Sequence, residues 1–508
     1  MQPSKYDLLV VGGGINGAGI ARDAAGRGLS VLLCEQDDLA AHTSSASTKL
    51  IHGGLRYLEY KEFGLVRKAL QERETLLRAA PHIIRPLRFV MPHMPDLRPA
   101  WLIRAGLFLY DHLARRELLP GSRGVAMNRH AAGAPLVDSI TRGFVYSDGW
   151  VDDARLVVLN ALDAHEHGAT IVTRTKLVGA VRAGDEWHAQ LRRADSSTLD
   201  VRAAAIANAA GPWVGELLKG ALGRPASHRV RLVKGSHIVT RRLFEHDHAY
   251  IFQNPDKRII FAIPYEHDYT LIGTTDLGYD GDPSQVAIDA TETQYLCDSI
   301  NRYFKQKISP ADVRWSYSGV RPLLEDENAD NPSAVTRDYS LELDAPPGEA
   351  PLLSVFGGKI TTFRKLAEQA VDTLGAALQR SAPAWTVGAP LPGGDIAHAD
   401  FERFLDDFRR LHAWLPAALA RRLARAYGTR AHRVIGDAHS LAELGHEFAP
   451  GFYEAELGYL RDTEWARAAQ DVLWRRSKLG LHVEPGTLER VTRDIDAWFA
   501  REPARQSA

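Results

Sequence analysis

Only two of the 508 residues are cysteine, Cys34 and Cys297, so no disulfide framework holds this chain. That usage fits a reducing compartment. Cys34, inside the apolar run VLLCE, reads as a buried core thiol. An excess of charge of one sign is also lacking: 62 Lys and Arg against 63 Asp and Glu leave a formal net charge of −1. No overall field recruits nucleic acid, and any anion site must be local. Long hydrophobic runs are missing too, with none near the ~18 apolar residues of a membrane-spanning helix. The opening MQPSKYDLLVVGGG passes almost at once into an apolar strand and a glycine turn, so no secretory signal is read there. Internal repeats and low-complexity tracts are absent from the sequence. What remains is an ordinary folded composition, 45% hydrophobic and 25% charged. The chain is expected in solution or lying on a membrane without crossing it. Its length exceeds one simple core and predicts two or three domains.

The most informative stretch is DLLVVGGGINGAGIARDAAGRGLSVLLCE. Asp7 to Val11 reads as a buried strand, and Gly12, Gly14 and Gly17 satisfy G-x-G-x-x-G. Ile15 and Asn16 open a helix that ends near Gly26 and Gly28, and a second buried strand closes on Glu35. The first glycine permits a tight turn, the second lets a pyrophosphate approach, and the third lets helix pack on strand. The helix N-terminus favours phosphate, and Glu35 can accept hydrogen bonds from ribose hydroxyls. An acid at this position argues against a 2′-phosphate, leaving FAD or NAD. Later segments favour FAD. RAAAIANAAGPWV is a strand broken at Gly211, and PLLSVFGGKITTFRKLAEQAV is a strand, a Gly357-Gly358 turn and an amphipathic helix. A long cofactor spanning the crevice would use such a late turn. Each of these taken singly is an ordinary strand-to-helix connection.

The motifs GGGINGAGIARDAAGRGLSV, TSSASTKLIHGGLRYLE, YSDGWVDDARLV, NAAGPWV, KGSHIV, GTTDLGY, YSGVRPL, TRDYSL, LLSVFGGKITTFRKLAE and LWRRSKLGL together resemble one family. It is the aerobic, FAD-dependent, membrane-associated glycerol-3-phosphate dehydrogenases, within a larger group that includes D-amino-acid oxidase. KLIHGGLRYLE, SGVRPL and LWRRSKLGL are the most specific. The resemblance implies an α/β fold: a Rossmann-like FAD-binding domain of the D-amino-acid-oxidase type, an antiparallel-sheet substrate domain and a helical C-terminal domain. The expected bounds are 1–91, 148–218 and 352–378 for the FAD domain, 92–147 and 219–351 for the substrate domain, and 385–508 for the helices.

It also implies roles. Gly12, Gly14, Ile15, Asn16, Gly17 and Glu35 would bind FAD, joined by Ser47, Thr48, Lys49, Gly211, Gly358, Lys359 and Thr361. On the substrate side it implies Arg56, Tyr57, Arg321, Arg337 and Lys359, because a phosphomonoester in a nearly neutral protein needs local cations, preferably guanidinium forks. Arg321, His52 and His237 would serve catalysis. Histidine titrates in the range useful for the carbinol proton, and the residues alone do not choose between His52 and His237; an arginine-assisted or solvent route is also open. No metal is expected, since the histidines of EHDHAY and HEH lack completing ligands.

The resemblance implies oxidation of sn-glycerol 3-phosphate to dihydroxyacetone phosphate, with electrons passed to ubiquinone or another membrane quinone. It further implies a homodimer held peripherally at the cytoplasmic face of the inner membrane. Two other functions compete: an oxidase making hydrogen peroxide, and a flavin-nucleotide-binding protein without turnover. One segment bears on the membrane. RPAWLIRAGLFLYDHLARR puts Leu102, Leu109 and Leu113 on one helical face, Arg104, Asp111 and Arg115 opposite, and Trp101, Phe108 and Tyr110 around the sides. Pattern alone favours packing of the leucine face on the protein's own core, and a headgroup-layer helix is the alternative. Phe401, Phe404, Leu405, Phe408 and Leu411 recur at helical spacing and begin the C-terminal helices.

Overall fold

The computed structural model describes residues 4–94, 98–225, 230–256, 258–324 and 338–501. The N-terminal unit forms as its pattern predicts: strand Ser4–Val11, helix Ile15–Gly26, strand Val31–Cys34. Leu8, Leu9, Val31, Leu32 and Leu33 are fully buried, as an unbroken apolar run in a covered parallel sheet requires. The first strand lies between two parallel neighbours, with Val11 opposite Cys34 on one side and Asn208 on the other. Strand Leu352–Gly357 extends the parallel set beyond Thr198–Asn208, and Thr170–Val172 extends it beyond Val31–Cys34. The chain therefore leaves three strands at Gly12, Glu35 and Ala209 on one edge of the sheet. A ligand crevice belongs outside that carboxyl edge, at the point where strand order reverses.

Helices Asp153–Glu166 and Phe363–Ala377 pack beside Ile15–Gly26, burying Ile20, Ala21, Ala24, Leu366 and Ala370. Gly19 sits at this contact, where a Cβ would stand 2.9 Å from the Phe363 ring.

A second sheet faces the crevice. Among the described residues it has ten strands, mostly antiparallel. Val230–Arg241 pairs along its length with Val313–Leu324 and also with Tyr269–Gly273. The chain crosses between sheets more often than the expected bounds suggest. Leu50–Ile51 and Ile84–Pro92 pair in the second sheet, while Tyr339–Asp344 forms an antiparallel edge of the first. Hydrophobic alternation identifies a strand but not the sheet it joins.

The C-terminal region is helical, with Phe401–Leu411, Ala417–Tyr427, Glu454–Thr463 and Pro485–Arg501 around a core that includes Phe401, Leu405, Phe408 and Leu423. Leu411, expected on that face, is 68% exposed. Buried ion pairs fasten this region to the parallel-sheet unit. Arg476 donates to both oxygens of Asp38 at 2.7 and 2.8 Å, and Arg155 is bidentate on Glu464. Within LWRRSKLGL, Trp474 stacks on Trp315 with centroids 4.9 Å apart.

The helix Ala100–His112 corrects the expectation for its leucine face. Leu107 and Tyr110 are the buried residues, packed in a cluster with Val66, Leu70 and Phe89. Trp101 (71%), Phe108 (58%), Leu102 (45%) and Leu109 (37%) face outward. Leu107 and Tyr110 are i, i+3 neighbours and share one face; that face supplies the contact, and of the leucine stripe only Leu113, partly buried, packs against the same cluster.

Candidate active site

The first turn is shaped for close approach. Gly12 has φ +113°, and a Cβ there would come within 2.5 Å of the Ala209 carbonyl oxygen. One at Gly17 would lie 1.9 Å from the Gly12 oxygen, so only glycine seats the helix on its turn. A Cβ at Gly14 would meet only the Ser44 hydroxyl, at 3.0 Å. Gly14 caps the helix with no side chain of its own, Ile15 N donates to Ser44 Oγ at 2.9 Å, and the positively polarised helix start borders the cavity. Glu35 is buried and accepts from Gly13 N at 2.6 Å and Asp37 N at 2.8 Å. Burial raises its pKa, opposed by these two donors. Asn16 Oδ1 is buried with no partner among the described residues, while its Nδ2 reaches Gly357 O at 3.3 Å. A bound donor is what that oxygen lacks, so the residues present fit a dinucleotide.

A cavity of about 670 Å³ runs along this edge, large enough for an organic cofactor and a small substrate. Its wall takes Gly12, Gly14, Ile15 and Asn16 from the first turn and helix start, and Glu35 from the end of the second strand. Ser47, Thr48, His52 and Tyr57 come from the next loop, and Gly211, Arg321, Gly358 and Lys359 from later segments. Residues separated by more than 300 positions thus share one space.

The remaining expected residues stand elsewhere. Gly17 lies under the turn. Lys49 is buried below the loop, donating to Asp153 Oδ1 at 2.7 Å and Ser45 O at 3.0 Å, and does not line the cavity. Ser47 Oγ donates to the other Asp153 oxygen at 2.7 Å, so Asp153 ties the loop to the start of its helix. Thr361 is buried, and its Oγ1 accepts from His52 N at 3.2 Å. Arg56 is half-buried beside Tyr60, its Nη2 3.4 Å from that hydroxyl. Arg337 lies outside the described residues.

His237 is fully buried behind the wall. Its ring stacks on Tyr317 at 4.8 Å, and a Cβ at Gly273 would stand 2.2 Å from its Cδ2. Its Nε2 lies 3.0 Å from Thr48 Oγ1, which does reach the cavity. Burial, then the charges of Arg321 and Lys49, push its pKa well below the ordinary value. Each of these effects disfavours the imidazolium form of His237. Arg321 donates from Nη2 to Thr274 Oγ1 at 3.2 Å, and its Nη1 stands 3.4 Å from Asp276 Oδ1. Lys359 Nζ donates to His52 O at 2.6 Å.

Sequence reasoning did not single out Asp38, Asp153, Thr274 or Asp276. Asp153, Thr274 and Asp276 lie inside YSDGWVDDARLV and GTTDLGY, so the motifs held them. Their tasks depend on partners more than 40 positions away. Glu35, Asp37 and His42 bring ligand-type atoms together. Both Glu35 oxygens already take backbone donors, and His42 pairs with Asp37 at 2.8 Å.

His82 shares the acid sensitivity of His237. It is buried, neither ring nitrogen is hydrogen-bonded among the described residues, and burial with the Arg155 and Arg425 charges pushes it down to about 3. An unfolded histidine titrates near pH ~6.5. Folded values below that mean the unfolded chain binds more protons in acid. Stability is then complete above pH ~6.5 and falls below it by about 1.4 kcal/mol per pH unit for each ring. His82→Leu should shrink the acid slope of stability between about pH 6.5 and 5 by that one-ring share, read as unfolding free energy against pH. An unchanged slope would show that His82 is not held neutral.

A glycine turn at a parallel-sheet switch point, closed over by an antiparallel sheet bearing a cavity-wall guanidinium, defines a dinucleotide-dependent oxidoreductase. Residues 7–364 match the family described as FAD dependent oxidoreductase, and residues 384–498 match the C-terminal domain of alpha-glycerophosphate oxidase. The chain is 55% identical to a glycerol-3-phosphate dehydrogenase of Pseudomonas aeruginosa, covering 99% of this chain and 97% of that protein. It is 54% identical to a D-erythritol 1-phosphate dehydrogenase of Brucella abortus, covering 95% and 96%. A solved glycerol-3-phosphate dehydrogenase from Bacillus halodurans, complexed with FAD, aligns with TM-score 0.79 at 28% identity over 98% of this chain and 90% of that one. The chain belongs to the FAD-dependent oxidoreductases, in the glycerol-3-phosphate dehydrogenase family.

Proposed function

We propose that this chain oxidises sn-glycerol 3-phosphate to dihydroxyacetone phosphate and passes the electrons to a membrane quinone. The observation that carries the reading is Arg321 on the wall of the cavity that the glycine turn opens. A guanidinium beside a threonine hydroxyl offers several donors to a phosphate. FAD, when bound, supplies the hydride acceptor. Gly12, Gly14, Asn16, Glu35, Gly211 and Gly358 would hold it, and Ser47, Thr48, His52 and Tyr57 of the 47–57 loop line the same cavity, where the substrate would lie against it. Arg56, Tyr57 and Lys359 complete that side. As the carbinol C–H bond breaks, its hydroxyl proton must leave. His52 stands on the wall itself and can receive it; Thr48 offers a second route, to His237 at 3.0 Å, against the burial and positive charges that disfavour its imidazolium.

A second reading, D-erythritol 1-phosphate as substrate, is favoured by the equally similar Brucella relative. Both substrates carry a phosphomonoester and an oxidisable carbinol. The test of the acceptor is glycerol-3-phosphate-dependent reduction of a quinone analogue measured beside peroxide yield. Stoichiometric peroxide with no quinone reduction would favour an oxidase.

We place the chain at the cytoplasmic face of the inner membrane as a peripheral homodimer. No helix of the described residues is long and apolar enough to cross a membrane. The outward Trp101, Leu102, Phe108 and Leu109 with exposed Arg104 and Arg115 support a helix lying in the headgroup layer. Replacing Trp101 and Phe108 together by Glu should lower partitioning onto anionic vesicles about tenfold or more, leaving turnover with a soluble dye acceptor unchanged. Undiminished sedimentation with vesicles would move the contact elsewhere.

A further inference from the structure

The exposed helix Ala100–His112 is wired to the substrate loop through its buried side. Gly53 N donates to Tyr110 Oη at 2.8 Å, and Tyr110 Oη donates to Asp148 Oδ1 at 2.7 Å. Arg73 Nη1 completes the chain, donating to the same Asp148 oxygen at 2.7 Å and to Ser147 O at 2.9 Å. Tyr110, Asp148 and Arg73 are each at most 2% exposed, and none lines the cavity. The turn is pressed onto the ring: a Cβ at Gly53 would stand 2.6 Å from Tyr110 Oη and 2.5 Å from Leu70 Cδ2. On its other side the same turn is held by Lys359 and Thr361, which donate to His52 O at 2.6 and 3.3 Å. The His52–Gly54 backbone is therefore clamped between the late glycine turn and the surface helix.

We propose that Tyr110 is a positioning residue for the oxidation, its hydroxyl fixing the turn from which His52 and Arg56 reach the substrate. This rests on the proposed substrate-side roles of those two residues. One hydroxyl accepts from Gly53 and donates to Asp148, so its orientation is set by both neighbours and in turn sets Gly53. Burial and the Asp148 charge push the Tyr110 pKa well above its ordinary value, which keeps the donating proton in place. A buried charged pair is costly and is often no more stable than apolar packing. Its presence here, one hydrogen bond from a loop of the cavity wall, makes geometric sense as a register pin. It also makes a helix with an outward apolar face part of the substrate site's frame.

Tyr110→Phe removes the hydroxyl and keeps the ring packing. In the FAD-loaded enzyme, KM for sn-glycerol 3-phosphate should rise about tenfold, with FAD per chain unchanged. Amide exchange of the 51–58 segment should quicken by a similar factor. Gly53→Ala, which pushes the turn off the ring from the loop side, should give the same KM signature. If either variant binds less FAD, KM is read on the holoenzyme fraction. Wild-type KM in both variants, or wild-type exchange in Tyr110→Phe, overturns the proposal and leaves the triad a purely structural pin. If the parent enzyme oxidises no polyol phosphate, the functional reading fails while the exchange arm still decides the link.

Discussion

Arg321→Ala is expected to lower kcat/KM for sn-glycerol 3-phosphate by about one to two orders of magnitude, while glycerol, already a very poor substrate, changes little. The size follows from the bond removed. A charge-assisted hydrogen bond contributes roughly 1.5–3 kcal/mol, and about 1.4 kcal/mol is tenfold. The loss grows if the bond also aims the carbinol. Arg321 contacts Thr274 and Asp276, in the connection that follows strand Tyr269–Gly273, and it is not among the residues assigned to the cofactor, so FAD content should stay intact. Arg321→Lys keeps the charge but not the fork and should recover only part of the loss. The number to compare is the specificity ratio, glycerol 3-phosphate over glycerol. A ratio unchanged in Arg321→Ala means that the phosphate is held elsewhere.

The second large effect separates two glycines of one motif. A Cβ at Gly17 would lie 1.9 Å from a backbone oxygen that cannot swing aside. Gly17→Ala should therefore displace the helix from its turn, cost about 3 kcal/mol or more of stability, and lose FAD. Gly14 is different. Its Cβ would meet only a serine hydroxyl, at 3.0 Å, so Gly14→Val should fold. The valine fills the approach to the helix start, and FAD should be lost with the apoprotein melting temperature nearly unchanged. Flavin absorbance per chain and thermal melting of the apoproteins distinguish the two. Stoichiometric FAD in Gly14→Val would show that the cofactor does not approach through that gap.

Those two glycines also mark what the sequence made legible. Asp7 to Glu35 carry their own context: strand, turn, helix, strand and acid in 29 contiguous residues, each with one mechanical use. Arg321 was legible for another reason, a motif specific enough to point at an anion. His237 and Lys49 were read as residues of the site, and the fold puts both behind it. Lys49 spends its charge on Asp153, and His237 stands one side chain back from the cavity, behind Thr48. Nothing local distinguishes a lysine on a wall from one beneath it. The same limit applies to the surface helix: its leucine stripe is as regular as any core face, and only the neighbours of Leu107 and Tyr110 decide which side turns in. Long-range pairs such as Asp38–Arg476 and Gly53–Tyr110 leave no trace in spacing.

The central claim is that one cavity holds FAD against a phosphorylated secondary alcohol. Its most direct test is the visible spectrum of the purified holoenzyme under anaerobic conditions, before and after adding sn-glycerol 3-phosphate, D-erythritol 1-phosphate or glycerol in separate cells. The account predicts that the flavin band near the visible maximum bleaches with sn-glycerol 3-phosphate and persists at the same concentration of glycerol. Bleaching confined to D-erythritol 1-phosphate would transfer the assignment to the longer substrate. A flavin that stays fully oxidised with both phosphate esters would contradict the account.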